Sequence, residues 1–263
     1  MNIDEIKLTQ LINKCCTTFG IDSVEHCWNK LHFKNYSKNV IYKFNQMGYR
    51  DEEWPNTLNN DIWAVGDSFT LGLGQPFEET WVNIVQKKIN QRVINVSMNG
   101  ASNDWIARRT QFILDNCNPA VILIQWSYTH RREDKNTALD DEDRANHFSK
   151  DLETELELLT QLSNTEQLDR LMLLDNLDIE NCLQNIMSIS NKHNIKIIHS
   201  FVPEFFNPQT DPNVSIYSVL TTHHINFFPA QEQVDFARDG FHYDIKTATQ
   251  YADKYVEQLQ TTN

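Results

Sequence analysis

The stretch Ile62-Trp63-Ala64-Val65-Gly66-Asp67-Ser68-Phe69-Thr70 decides the fold of this chain. Four apolar residues run up to a glycine, after which the chain reaches a serine on a tight turn, a pattern typical of a short buried strand. Residues 92–96, 120–125 and 195–201 repeat the apolar run, and helical periodicity predicts helices over 78–90, 103–116, 147–163, 166–193 and 245–259. This alternation predicts an α/β fold in which helices flank a parallel sheet.

Glycine is scarce and unevenly placed. The chain has 7 glycines in 263 residues, and five of them follow the first two predicted strands or stand near the C-terminus: Gly66, Gly72, Gly74, Gly100 and Gly240. Loops at the carboxyl ends of parallel strands meet at one edge of the sheet, where such folds bind ligands. Glycine is needed where the backbone turns sharply or approaches a ligand closely. The distribution therefore predicts a functional site at this edge.

Two polar motifs carry the chemistry expected of such a site. Ser68 stands on the turn after the first strand, and Asp239-Gly240-Phe241-His242 precedes the last helix. A serine hydroxyl becomes nucleophilic when an adjacent imidazole takes its proton. A carboxylate on the other ring nitrogen fixes the imidazole tautomer. We therefore predict Ser68 as nucleophile and His242 as base, with Asp239 as the partner of the histidine.

The order and spacing of these motifs resemble those of the SGNH (GDSL-type) hydrolases over about residues 60–260. The resemblance implies a three-layer α/β/α, flavodoxin-like fold and an esterase, lipase or acetylesterase activity through an acyl-serine intermediate. It implies an oxyanion hole that contains the backbone N–H groups of Ser68 and Gly100. Gly66-x-Ser68-x-Thr70 lacks the second glycine of the α/β-hydrolase nucleophile elbow, so that rival fold fits less well.

One block departs from the family pattern. Where these enzymes have Gly-x-Asn-Asp after the third strand, this chain has Trp126-Ser127-Tyr128-Thr129-His130-Arg131. A missing oxyanion donor can lower the rate by roughly 10²–10³, so a replacement on this loop is expected. Substrate-binding candidates are Trp126, Ser127, Tyr128, Thr129, His130 and Arg131; Asp67, beside the nucleophile, is a further candidate with a structural reading as a loop-bonding carboxylate.

The net charge and the spacing of cysteines and histidines argue against several functional classes. The formal net charge is −13, from 36 acidic against 23 basic residues, and such a field disfavours nucleic-acid binding. The five cysteines form no Cys-x-x-Cys pair, and His223-His224 with Asp235 is a poor metal set because adjacent histidines rarely point at one ion. We expect no cofactor, no metal and no membrane partner. The expected substrate is a small ester, which a glycan could carry.

The N-terminal part of the chain differs from the rest. Residues 1–58 carry scattered aromatics among Lys and Asn, and we interpret them as an N-terminal helical appendage on a hydrolase domain at 59–263. Met1-Asn2-Ile3-Asp4-Glu5 lacks the features of a secretory signal, which predicts a soluble, cytoplasmic protein. The charged stretch 131–146 is interpreted as an exposed excursion or lid. Two alternatives stay open: a non-catalytic ligand-binding module, and a structural subunit of an assembly such as a virion.

Overall fold

The fold was analysed in a computed structural model, which describes residues 3–129, 131, 177, 179–190, 195–203 and 213–261. The six strands are β1 (Cys15–Cys16), β2 (Tyr42–Lys43), β3 (Ile62–Gly66), β4 (Val93–Ser97), β5 (Val121–Trp126) and β6 (Lys196–Phe201). The α-helices are α1 (Lys30–Asn35), α2 (Ser68–Leu71), α3 (Trp81–Ile89), α4 (Asn103–Asn116), Asn213–Thr222 and the C-terminal helix Ile245–Gln260, and residues 179–190 are also helical. Of the predicted excursion at 131–146, only Arg131 is among the described residues. The predicted helix at 147–163 lies outside them, as do residues 166–176, 178 and 191–193 of the predicted helix at 166–193.

Four parallel strands form the central sheet. Their order is β4-β3-β5-β6, with Ala64 of β3 opposite both Asn95 of β4 and Leu123 of β5. The first strand of the sheet therefore lies inside it, which is the order of a flavodoxin-like doubly wound fold. This confirms the predicted fold class. The strand order reverses beside β3, and ligands bind such folds at the carboxyl ends of the strands at this point.

The side chains of the strands alternate between the two faces of the sheet, and each face packs against helices in its own hydrophobic core. The sheet and the helices on its two faces form three layers. Trp63 and Val65 pack on the face covered by α4, whereas Ile62 and Ala64 pack on the opposite face with Trp81 of α3. The second face is closed by the C-terminal helix, whose Tyr255 stacks on Trp81 with ring centroids 4.4 Å apart. Because both faces are covered, nearly every residue of the four strands is buried, as parallel sheets require.

The N-terminal segment, residues 3–58, shares the core of the sheet domain. It contains one six-residue α-helix, two 3-10 helices (Ile3–Ile6 and Thr9–Leu11) and the short β1–β2 pair, so most of it is not helical. Its buried apolar residues join the cluster that includes Trp63: Ile6, Leu8, Leu11, Val40, Tyr42, Phe44, Met47 and Tyr49. The segment is therefore packed into the fold along much of its length.

One further helix differs from the sequence prediction. The sequence after Pro203 predicts a loop-rich segment as far as about residue 240. This prediction is wrong for Asn213–Thr222, which form a helix. β-branched and hydroxyl residues dominate this stretch and lower its intrinsic helix propensity. Packing of Ile216 and Leu220 into the core overrides that preference. Nowhere in the described part of the chain is a helix both long and apolar enough to cross a bilayer.

Candidate active site

Ser68 is the first residue of α2, immediately after β3. Asp67 caps this helix, because its Oδ1 accepts a hydrogen bond of 2.9 Å from the backbone N–H of Phe69. Gly72, with φ of 76°, ends the helix after a single turn and donates its N–H to the carbonyl of Ser68. Ser68 is thus fixed at the carboxyl end of a central strand, with only 2% of its surface exposed.

Gly66 is required by a close contact and not by an unusual backbone angle. A Cβ atom at this position would lie 2.1 Å from the Oγ1 of Thr70 and 3.0 Å from the carbonyl oxygen of Gln125. The Thr70 hydroxyl also donates a hydrogen bond of 3.0 Å to the Gln125 side chain. The missing side chain therefore lets the turn that carries Ser68 fold back tightly on the sheet.

The loop before the C-terminal helix brings His242 to Ser68. The Nε2 atom of His242 lies 2.8 Å from the Oγ of Ser68, and its Nδ1 lies 2.6 Å from the Oδ2 of Asp239. The other carboxylate oxygen, Oδ1, accepts the backbone N–H groups of Phe241 and His242 at 2.9 and 3.0 Å. The three side chains predicted from sequence are thus in hydrogen-bond contact, although Ser68 and His242 are 174 residues apart in the chain.

The protonation of this trio follows from its surroundings. Burial by itself raises the pKa of Asp239, but the charge of His242 and three hydrogen bonds outweigh it, and the net pKa is lowered. Asp239 is therefore a carboxylate at neutral pH and accepts the Nδ1 proton of His242. In the neutral imidazole, Nε2 then carries no proton and can accept the hydroxyl hydrogen of Ser68.

Two backbone N–H groups lie beyond the ends of the adjacent strands β3 and β4. They belong to Ser68 and to Gly100, whose φ is 75°. Among the residues that the structure describes, neither group has a hydrogen-bond acceptor. Backbone N–H groups in such positions are available to an anionic oxygen. Gly100 is suited to its place because glycine adopts positive φ readily.

The altered block after β5 folds against Asp67. Ser127 donates its hydroxyl to the Oδ2 of Asp67 at 2.6 Å, and the Nη1 of Arg131 lies 3.1 Å from the same oxygen. The side chain of Asn103 in α4 fixes this block, accepting from the N–H of Ser127 and donating to the carbonyl of Tyr128. From the sequence alone, Ser102 or Asn103 is expected as the cap of this helix, and nothing indicates the contact of Asn103 with the block. The block is therefore built around a buried carboxylate next to the nucleophile.

Trp126 and His199 form a buried pair behind this block. Trp126 is fully buried, and its indole N–H donates to the Nδ1 of His199 at 3.0 Å, so its ring belongs to the core and we expect no contact with substrate. The Nε2 of His199 lies 3.1 Å from the hydroxyl of Ser190. Burial lowers the pKa of His199 to about 3, which keeps the ring neutral. Because indole nitrogen only donates, Nδ1 must accept, and the His199 proton is on Nε2.

The other residues singled out from the sequence are Thr129, His130, His223 and His224. Thr129 is 8% exposed, and His130 lies outside the described residues. His223 and His224 are exposed, and within the described ranges no group of three or more His, Cys, Asp or Glu side chains is arranged to hold a metal ion.

Aromatic rings lie next to His242, and a ring of the N-terminal segment lies beside them. The rings of Phe69 and Phe241 lie 4.5 and 5.2 Å from the imidazole. Trp28 is 78% exposed, lies 6.0 Å from Phe241 and donates its backbone N–H to the carbonyl of Asp239. The sequence does not indicate this contact, because Trp28 is there only a tryptophan in a polar segment.

Comparison with known proteins gives structural similarity only. No family model and no curated protein matches the sequence. Solved structures do match. One is TesA, at 16% identity and a TM-score of 0.48, covering 76% of this chain and 98% of that one. Another is a putative lipolytic protein of the G-D-S-L family from Desulfitobacterium hafniense, at 12% identity and a TM-score of 0.48, covering 76% and 99% of the two chains.

A family two carbohydrate esterase from Clostridium thermocellum, solved in complex with cellohexaose, also matches. Its identity is 14% and its TM-score 0.44, and the match covers 80% of this chain and 66% of that one. We base the functional proposal below on the side-chain geometry of this chain.

Proposed function

We propose that this protein is a serine esterase that hydrolyses a small ester through an acyl-serine intermediate. The observation that carries the proposal is the continuous contact from Asp239 through His242 to Ser68, at 2.6 and 2.8 Å. Such a contact, with an ionised aspartate and an unprotonated Nε2, is what a serine needs to act as a nucleophile.

The reaction proceeds in two halves. His242 takes the Ser68 proton as Oγ attacks the ester carbonyl, and the oxyanion is held by the N–H groups of Ser68 and Gly100. Collapse of this intermediate breaks the ester bond, and His242 gives its proton to the departing alcohol. A water molecule, activated by the same histidine, then attacks the acyl-Ser68 ester and releases the acid. Asp239 stays ionised and stabilises the imidazolium in both halves.

We further propose a short acyl group, and an alcohol that is part of a sugar. Ser68 and His242 are only 2% and 3% exposed, and the rings of Phe69 and Phe241 stand against the imidazole. These features favour a small acyl group over a long chain. The exposed indole of Trp28 offers a flat apolar surface near the same site, which a sugar ring can cover.

Labelling by a fluorophosphonate probe tests the proposal. We expect the wild-type protein to be labelled and Ser68→Ala to be unlabelled. The matched control is Ser190→Ala, because Ser190 also contacts a histidine, at 3.1 Å. His199 presents its own Nε2 proton to that hydroxyl and cannot remove another, so the control is expected to label like wild type. An unlabelled wild-type protein, or equal labelling of Ser68→Ala, would contradict the proposal and favour a non-catalytic binding module.

Substrate class is tested separately with p-nitrophenyl acetate, butyrate and octanoate, and then with acetylated sugars. We expect kcat/KM to be highest for acetate and lowest for octanoate. A preference for octanoate would exclude the short-acyl assignment while leaving the serine esterase proposal intact.

A further inference from the structure

A fully buried carboxylate in the N-terminal segment connects two distant loops. Asp22 is fully buried and is distant in sequence from both candidate catalytic motifs, Gly66-Asp67-Ser68 and Asp239-x-x-His242. Its Oδ2 accepts the hydroxyl of Tyr42 at 2.5 Å and the Nη2 of Arg238 at 2.6 Å, and its Oδ1 accepts the Nε of Arg238 at 2.9 Å. Arg238 is the residue immediately before Asp239. Asp22 therefore holds the loop that carries the aspartate and the histidine.

Tyr42 extends the same network to the loop that follows the nucleophile. Its hydroxyl oxygen accepts the backbone N–H of Gly74 at 2.7 Å while its hydrogen goes to Asp22. The ring of Tyr42 is fully buried, and the guanidinium of Arg50 lies over it, 4.4 Å from the centroid. A single tyrosine side chain thus contacts the nucleophile loop (residues 71–75) directly and, through Asp22, the histidine loop (residues 237–244).

The buried side chain of Arg50 forms hydrogen bonds with the backbone of the nucleophile loop. This guanidinium is 1% exposed and, among the described residues, is bonded to carbonyl oxygens and to no carboxylate. Three of these carbonyls belong to the nucleophile loop, at Leu71, Gly72 and Gln75, with distances of 3.1, 2.5 and 2.7 Å. Removing the charge of an arginine from water is costly. Because the hydrogen bonds of Arg50 go to backbone carbonyls and not to a carboxylate, this cost indicates that they hold the loop in place.

The two loops also touch each other at the point where the network meets them. The N–H of Arg238 donates to the carbonyl of Gly74 at 3.1 Å. A side chain at Gly74 would lie 2.9 Å from the Cβ of Ala237, so the loops approach too closely for any residue but glycine. The Tyr42 and Asp22 contacts thus act at the junction from which Ser68 and His242 project toward each other.

We propose that Tyr42 and Asp22, both in the N-terminal segment, are positioning residues, which set the distance between Ser68 and His242 from outside the two loops that carry them. The inference rests on the proposed serine esterase function, and it makes the N-terminal segment a part of the catalytic unit. Catalysis is sensitive to such positioning, since a misplacement of about 1 Å can cost roughly 10²-fold in rate.

The test compares Tyr42→Phe with Tyr255→Phe. Both tyrosines are fully buried, and each loses a hydroxyl with two close partners, which for Tyr255 are Ser200 at 2.6 Å and the carbonyl of Ile124 at 2.8 Å. Only Tyr42 contacts the nucleophile loop. For each purified variant, kcat and KM for p-nitrophenyl acetate and the fluorophosphonate labelling rate are measured at matched folded fractions, determined by urea unfolding.

We expect Tyr42→Phe to lower kcat and the labelling rate by about 10-fold or more with KM within about twofold, in line with a loss of geometry. Tyr255→Phe is expected to keep kcat within about twofold at a comparable loss of unfolding free energy. Asp22→Asn, which keeps its shape but loses its charge toward Arg238, should follow Tyr42→Phe.

Equal kcat values in Tyr42→Phe and Tyr255→Phe, with an active and labelled wild type, would overturn the positioning role. An inactive and unlabelled wild type would instead overturn the esterase proposal. If Tyr42→Phe does not fold, Asp22→Asn decides by the same comparison with Tyr255→Phe. If neither variant folds, while Tyr255→Phe does, the two residues serve stability and the positioning role is overturned.

Discussion

Replacing Asp239 by asparagine changes one atom, and the structure fixes where that atom goes. The Oδ1 position accepts two backbone N–H groups, from Phe241 and His242, at 2.9 and 3.0 Å. The asparagine oxygen must take this position, because an NH₂ group there would face two donors. The NH₂ group then faces the Nδ1 of His242, which can only accept from it. The proton of the neutral imidazole therefore moves to Nε2, and the base can no longer take the proton of Ser68.

The magnitude follows from comparing the two orientations of the amide. Turning it the other way would leave two buried N–H groups without an acceptor, at a cost of about 1–3 kcal/mol each. That orientation would therefore cost about 2–6 kcal/mol in total. The wrong tautomer lowers kcat by roughly 10⁴-fold in a Ser-His-Asp triad, which corresponds to about 5 kcal/mol of transition-state stabilisation. Neither orientation restores an efficient site, and we expect kcat to fall by about 10³–10⁴-fold.

Ester hydrolysis and urea unfolding of Asp239→Asn and Asp239→Ala provide the assay. Both variants should lose kcat to a similar degree. Alanine should also lose the two backbone hydrogen bonds, at about 1–3 kcal/mol each, and with them about 2–6 kcal/mol of unfolding free energy relative to asparagine. Retention of more than about a tenth of the wild-type kcat in Asp239→Asn would refute the tautomer argument. Equal stability of the two variants would refute the assigned role of Oδ1.

Two further expectations concern stability. Gly66→Ala would bring a methyl group to 2.1 Å from the Thr70 Oγ1, so we expect a loss of about 1–3 kcal/mol in urea unfolding; an unchanged midpoint would contradict the close contact. The lowered pKa of Asp239 means that the unfolded state binds more protons than the native state in acid. Stability from this group is therefore present above the ordinary aspartate pKa and is lost as pH falls through the lowered value. Unfolding measured from pH 7 down to pH 3 should show a shallower acid loss in Asp239→Asn than in wild type, and parallel curves would contradict it.

The sheet and the two motifs of the candidate site were predictable, because a buried strand and a three-residue spacing each depend on local sequence. Apolar runs indicated the strands, and most observed strand ends differ from the predicted ones by one residue. For example, β4 was expected at 92–96 and is Val93–Ser97. Ser68 and the Asp239-x-x-His242 motif were found because a strand end and a three-residue spacing restrict where side chains can meet. The structure brings all three together.

The supporting contacts were not predictable by the same means. Asp22, Tyr42 and Arg50 act through partners more than 20 residues away in most cases, and their own neighbourhood in the sequence shows no periodicity or motif. The segment was therefore interpreted as an appendage. Its contacts with the loops that carry Ser68 and His242 arise only from tertiary packing. Helix propensity failed for a related reason at Asn213–Thr222, where packing overrides local preference.

Two of the serine–histidine contacts among the described residues, those of Ser68 and Ser190, differ in chemistry because of the atom on the far side of each ring. His242 meets Ser68 at 2.8 Å and His199 meets Ser190 at 3.1 Å. A carboxylate behind His242 draws the proton to Nδ1, whereas an indole N–H behind His199 drives it to Nε2. Only the first ring can accept a serine proton. The identity of the third residue, and not the serine–histidine distance, therefore separates a nucleophile from a structural hydroxyl, and it is why labelling of Ser190 would be as damaging to this reasoning as the absence of labelling at Ser68.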